Sequence, residues 1–262
     1  MTKPHDFKTR AIVVRKTKCG EADRILSLLT PDLGLIQGFA KSVRKTKSKL
    51  SGHLELLCYS EISLARGKAI DTITGSQTIQ SFLNIRNSLQ LSAMAFYACE
   101  LAYHFSPEES ANPSIFQLLL STLEELDNES QAELCIKYFE LHLLENSGYK
   151  PELRECANCH KKLLATTNYY SSESGGIICP SCRNTQTGIP VSVNAVKVLR
   201  YIQENNFASI CRLKVNREIL SELELAIRAN IRFVLEKEPK ALFWLDSMRL
   251  ADICQENSLN HG

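Results

Sequence analysis

No window of this 262-residue sequence approaches the roughly 18 uncharged apolar residues that a membrane helix needs. Met1 to Phe7 also lack the apolar stretch of about 7–15 residues that marks a secretory signal. Cytoplasm is therefore the expected compartment, and the ten cysteines are expected as reduced thiols or metal ligands rather than disulfides. Catalytic signatures are missing too. There is no P-loop, no G-x-S-x-G, no H-E-x-x-H, and no His-rich or paired-carboxylate cluster at ligand spacing, so no enzyme is expected. Neither an internal repeat nor a low-complexity tract is present. Aromatic rings are scarce in the first eighty residues, which hold only Phe7, Phe39 and Tyr59.

Positive charge, by contrast, is concentrated. Residues 1–50 hold twelve Lys/Arg against Asp6, Glu21, Asp23 and Asp32, a net +8 in a chain whose total is +2. The remainder is therefore −6. Such a bipolar layout points to one face for a polyanion and another body for protein contacts.

Residues 8–80 read as short strands and turns: Ala11–Val14, Arg24–Leu29, Leu35–Phe39, Leu54–Leu64, and a fifth over Thr72–Ile79. Pro31-Asp-Leu-Gly34 and Arg66-Gly-Lys68 carry turn chemistry between them. Five such strands fit a small closed barrel, because closure removes exposed edges. Helical spacing follows over 83–105, over Ser114–Leu126 opened by Asn112-Pro113, and over 130–147 stopped by Gly148. Ser192–Gln203, Arg217–Leu235 with Asn216 as cap, and a short helix at 240–250 complete the body. The expected fold is α+β: a barrel over 1–80, a helical domain over 81–149 and 191–262, and a separate insert over 150–190. That insert shows no long periodic run and no usable apolar core of its own.

What holds the insert is expected to be Cys156, Cys159, Cys179 and Cys182, spaced C-x2-C-x19-C-x2-C. Each C-x2-C pair makes a knuckle whose sulfurs face one point, and two knuckles complete a tetrahedron around a structural Zn²⁺. A thiolate set without an open position disfavours a catalytic metal. Cys156-Ala-Asn-Cys159-His160 also matches haem attachment, which would need an exported chain. Cys179-Pro-Ser-Cys182 matches a redox dithiol, which would need a following helix where loop is expected. His160 is the alternative fourth ligand. The other cysteines are scattered among apolar residues and read as small buried hydrophobes.

Lys41-Ser-Val-Arg44-Lys45-Thr-Lys47-Ser-Lys49 places five cations in nine residues without an acid. The competing reading is a solvated loop that only aids solubility. Arg10, Arg15, Lys16 and Lys18 extend the excess onto the first strand and favour binding. Phe39 is open between stacking a base and packing in the core. Many cations with few rings predict contacts dominated by phosphates, with little sequence preference and steep salt dependence. Lys197, Arg200, Arg212, Lys214 and Arg217 fit either an extension of that path or ordinary helix-surface charge.

Gly20-Glu-Ala-Asp-Arg-Ile-Leu-Ser-Leu-Leu-Thr30, then Gly34, then Lys41-Ser-Val-Arg-Lys-Thr-Lys-Ser48 resemble the opening of the bacterial recombination mediator family RecO. Glu100–Phe105 and Leu144-Glu-Asn-Ser-Gly-Tyr-Lys-Pro-Glu-Leu153 are similar to that family as well, so the likeness covers nearly the whole chain. One departure is Phe39-Ala-Lys-Ser42, where the family often has Lys-Gly before the basic loop. The resemblance implies an OB-fold N-terminal domain that binds single- and double-stranded DNA. It also implies annealing of complementary strands and recombinase loading on DNA coated by single-stranded DNA-binding protein. The implied partners are the RecR protein and the acidic tail of that coating protein. The DNA contacts expected on the barrel are Arg10, Arg15, Lys16, Lys41, Arg44, Lys45, Lys47 and Lys49. The alternatives are a zinc or dithiol enzyme, and a zinc-ribbon regulator that binds nucleic acid without annealing. The second is weakened because residues 160–178 carry only Lys161 and Lys162 as cations.

Overall fold

The structure, a computed structural model, describes residues 6–44, 50–108, 110–128 and 131–248. Two compact units are present: Met1–Asn128 with Lys240–Gly262, and Glu129–Pro239.

In the first unit, β1 (Asp6–Cys19), β2 (Asp23–Thr30), β3 (Gly34–Ala40), β4 (Tyr59–Ala65) and β5 (Asp71–Gln80) close into a barrel in the order β1-β2-β3-β5-β4. This is a five-stranded barrel of the OB type, as expected. At fourteen residues β1 is long enough to serve two partners. Asp6–Ile12 pairs with β4 and Ile12–Cys19 with β2, and a register shift between Val13 and Arg15 lets the strand bend from one to the other. A parallel pairing of β3 with β5, Gly38 with Asp71 and Phe39 with Thr72, completes the closure. Ala11, Val13, Leu26, Leu28, Ile62, Leu64 and Ile73 fill the interior. Their burial is the main favourable term, at about 25 cal/mol per Å² of apolar surface removed from water.

The expected strand over Leu54–Leu64 begins later, at Tyr59. Gly52–Leu54 forms a single 3₁₀ turn, Leu57 adopts a left-handed φ of 71°, and Cys58 N donates back to Glu55 O at 3.2 Å. Leu54 and Leu57 are buried from a loop. Their apolar character reflects that burial, with no strand period behind it. The helix expected over 83–105 is two, α1 (Leu83–Asn87) and α2 (Leu89–Phe105). Ser88 separates them: its backbone is extended and its hydroxyl accepts from Leu91 N at 3.3 Å, a helix cap. α3 (Pro113–Asp127) starts as expected, with the Asn112 side chain accepting from Ile115 N at 3.2 Å. Its last residue returns to the start of α1, where Asp127 accepts from Ile85 N at 3.0 Å. α2 and α3 pack on the barrel strands. Residues 241–248 are helical, and the Glu100 carboxylate on α2 accepts from Lys240 N and Ala241 N at 2.9 and 2.7 Å. A carboxylate there satisfies orphan N–H groups and opposes the helix dipole.

The second unit joins α4 (Ala132–Asn146), α5 (Val193–Glu204), α6 (Phe207–Ile210) and α7 (Arg217–Leu235) to a sheet of β6 (Asn168–Ser171), β7 (Gly176–Ile178) and β8 (Ile189–Val191). α4 ends at Gly148 with φ +85°, and Tyr149 N reaches back to Leu144 O at 2.8 Å. Ser192 and Asn216 cap α5 and α7 through Ala195 N and Ile219 N. α6 went unforeseen because one helical turn shows no period. The apolar residues of the insert share a core with the helices of its unit. Leu153, Tyr170, Ile177, Ile178 and Val191 are buried, and α7 packs against β6 and β8. Neighbouring helices supply the other half of a core that the insert's own composition does not reveal. On α4, Lys137 and Glu140 form a buried ion pair at 2.8 Å.

Gly34 closes the β2–β3 turn at φ +70°, and a methyl group on it would lie 2.2 Å from the Ser110 carbonyl oxygen. Gly34→Ala is expected to lower stability by about 1–3 kcal/mol, read from the midpoint of urea unfolding.

Candidate nucleic-acid interface and metal centre

Alternation along β1 and β2 sorts the cations of the barrel. Lys16 sits opposite Leu26 and Lys18 opposite Arg24, and Leu26 points into the core. Lys16 and Arg24 therefore lie at the rim of the barrel interior. Together with Arg44, Val43, Leu54 and Glu55 they line a cleft of about 290 Å³. Lys16 is held in an ion pair with Glu55, its side chain only 13% exposed. Arg44 is exposed, its backbone N donating to Ala22 O and its guanidinium to Glu21 O at 2.7 Å. Among the described residues its partners are thus neutral backbone carbonyls. Asp23 accepts from Ser42 N at 2.6 Å and so pins the start of the loop to β2.

Two of the expected residues face elsewhere. Arg10 is exposed on the outer side of β1, opposite Glu61 in the β1–β4 ladder, while Glu61 pairs with Lys8 at 3.3 Å. Arg15 is exposed past the register shift, donating to the Tyr103 hydroxyl at 2.7 Å with its guanidinium carbon 4.8 Å from that ring's centre. Lys41 is exposed at the end of β3. Lys45, Lys47 and Lys49 lie outside the described residues. The sequence reading left out Arg24 as a contact. Its signal was available, since Arg24, Leu26 and Leu28 share one face at the period of a strand. Phe39 lies outside the barrel core, half-buried between Ile25 and Thr72.

In the second unit, the Sγ atoms of Cys156, Cys159, Cys179 and Cys182 all lie within 4.8 Å of one another. Ala157 N bonds to Ile177 O at 2.8 Å and Ile177 N to Glu152 O at 2.8 Å, which fastens the first knuckle to β7. The second knuckle follows β7 directly, and Cys182 N closes on Cys179 O at 3.0 Å. Sulfurs at the corners of a tetrahedron with Zn–S bonds of about 2.3 Å stand about 3.8 Å apart. Cys159 Sγ and Cys179 Sγ are 3.9 Å apart, a separation that fits. None of the four is in a disulfide. Burial pushes the Cys156 thiol up, but hydrogen bonds from the backbone N–H groups of Cys159, Cys179 and Asn158 outweigh it and bring it to about 6. For Cys182, the Asn158 side chain lowers the value, yet desolvation and the three neighbouring sulfurs carry it to about 12. One thiolate is thus welcome and further ones repel, the condition that a bound cation relieves. His160 turns away from the cluster to Glu155, with Nδ1 3.5 Å from the carboxylate. Cys182–Asn184 makes one 3₁₀ turn and no α-helix.

No helix among the described residues is long and apolar enough to cross a membrane. These parts define an OB-barrel protein with a helical body and a paired-knuckle cysteine cluster. The family model described as Recombination protein O N terminal matches residues 1–82, and that described as Recombination protein O C terminal matches residues 86–243. The DNA repair protein RecO of Dehalococcoides mccartyi is 89% identical over 253 residues, covering 97% of this chain and 100% of the relative. Those of Roseiflexus sp. and Pelotomaculum thermopropionicum are 36% and 33% identical, covering 93% and 92% of this chain and 86% and 93% of their own lengths. The chain belongs to the RecO family.

Glu55→Gln removes the one carboxylate among the described residues of the barrel cleft and takes from Lys16 its ion-pair partner. The variant is expected to elute from a phosphocellulose column at higher salt than the parent chain.

Proposed function

We propose that the chain acts in DNA repair and homologous recombination by binding rather than catalysis, as a mediator that holds single- and double-stranded DNA, anneals complementary strands and assists recombinase loading on DNA coated by single-stranded DNA-binding protein. One observation carries this reading: Lys16, Arg24 and Arg44 line a single cleft where Glu55 is the only acid among the described lining residues. Annealing requires two polyanions to approach, and a cationic surface that displaces counterions lowers that repulsion. Arg10, Arg15 and Lys41 add exposed charge on the barrel surface, and Lys45, Lys47 and Lys49 follow in the sequence. By function the chain divides into a DNA-binding barrel (1–80), a helical body for protein contacts (81–149 and 191–262) and a metal insert (150–190). RecR and the acidic tail of the coating protein are the proposed partners, and the cytoplasm the proposed compartment.

Cys156, Cys159, Cys179 and Cys182 are proposed to hold a structural zinc ion. The metal supplies positive charge that neutralises the thiolates and crosslinks the two knuckles, with no open position for chemistry. The chain's own contribution is the pinning of each knuckle to β7.

Binding to labelled single strands is expected to weaken with salt. If about five phosphates are neutralised, log K falls with log salt at a slope near −3.5. Arg24→Glu with Arg44→Glu is expected to weaken binding about tenfold or more and to flatten that slope, with circular dichroism unchanged. A slope near zero in the parent chain rejects the reading.

Metal analysis is expected to find one zinc per chain. Cys156→Ser is expected to lose the metal and to lower the melting temperature, as chelation does in the parent chain.

A further inference from the structure

Backbone-dominated binding leaves open what the bases of a single strand would touch, and the barrel's own rings are poorly placed for it. Tyr59 is buried edge-on against Phe116, with ring centres 6.0 Å apart. Phe7 is covered by the Arg66 guanidinium, 4.1 Å from its ring centre. Phe39 is half-buried. The same compact unit nevertheless exposes two large rings side by side on its last helix: Phe243 is 71% and Trp244 60% exposed. Their centres are 6.1 Å apart with planes at 81°. Leu242 and Leu245, on the other side of that helix, are buried and fix its orientation.

The position of this pair follows from one stripe of α2. Phe96, Glu100 and Tyr103 stand four and three residues apart and so share a helix face. Phe96 is itself 42% exposed. Tyr103 carries Arg15 of β1, and Glu100 caps the helix that presents Phe243 and Trp244. Cation and rings are thus anchored one turn apart on the same face, about 4.5 Å along the axis. The acid between them does not oppose a phosphate chain with full charge. Glu100 is engaged by the Lys240 and Ala241 N–H groups, and His104 Nε2 lies 3.8 Å from it.

We infer that a single strand held by the outer face of β1 at Arg10 and Arg15 crosses α2 and stacks bases on Phe243 and Trp244. This inference rests on the binding role proposed above and names its second surface. The charge on the same face of α2 favours a nucleic acid strand over a purely apolar partner, because Arg15 is bonded to the neutral Tyr103 hydroxyl and keeps its positive charge above that ring. Stacking on exposed rings is indifferent to base identity, which suits a surface that grips any sequence.

Trp244 is the chain's only tryptophan, so its emission reports this surface alone. The test titrates the full chain with oligothymidylate, following tryptophan emission beside the anisotropy of the same strand carrying a dye. Emission is expected to be quenched in step with the anisotropy. Phe243→Ala with Trp244→Ala is expected to bind about tenfold weaker or worse, while Trp244→Phe keeps the affinity of the parent. The quenching measurement uses the unaltered chain, so a folding defect in the double variant cannot mask the result. Binding without quenching, or full affinity in the double variant, overturns the inference, assigns the rings to a protein partner and leaves the barrel reading intact. A chain that binds no strand by anisotropy overturns both.

Discussion

Closure of the barrel through β1 is the constraint on which the rest of the N-terminal unit depends. A strand that pairs with β4 through one half and β2 through the other must bend, and the register shift between Val13 and Arg15 supplies the bend. The same shift changes which side chains face out. Arg10 and Arg15 fall on the outer surface, whereas Lys16 turns to the rim of the interior beside Arg24. One backbone irregularity therefore distributes the positive charge of a single strand over two surfaces. The cost of bringing cations to the rim is met locally, by Glu55 for Lys16 and by the Glu21 carbonyl for Arg44.

The cysteine cluster obeys a comparable rule. Four thiols brought within 4.8 Å of one another cannot all ionise without a counter-charge. The backbone N–H groups around Cys156 accommodate one thiolate, and the rise at Cys182 shows the resistance to more. The knuckles do not stand alone, because β7 carries both and α7 covers the sheet. A metal bound there would crosslink a module that already shares an apolar core with its neighbours.

Legibility in the sequence followed the strength of local signals. Helices with a polar residue at the N-cap were placed almost to the residue, as at Asn112, Ser192 and Asn216, because the cap is a contact between near neighbours in the chain. Ser88 offered the same chemistry within a continuous apolar pattern, and the pattern masked it. The 54–58 segment was misread for a related reason: buried loop leucines and strand leucines look alike in composition. Cysteine spacing identified the cluster because two knuckles are each defined within four residues. Arg24 was counted among the cations but not assigned to the site, since its role depends on a cross-strand neighbour.

The sequence by itself determined the barrel strands in outline and the longer capped helices, the four cysteines that converge and the end of the chain that carries the positive charge. All of these rest on interactions between residues close along the backbone. Only the tertiary structure decided which cations share a cleft, which acids compensate them, and that the helix bearing Phe243 and Trp244 is capped by Glu100 from the same face of α2 that carries Tyr103, the partner of Arg15. Those outcomes depend on strand register and on contacts between residues as much as 141 positions apart, such as Glu100 with Ala241. Composition and periodicity carry no record of such distances.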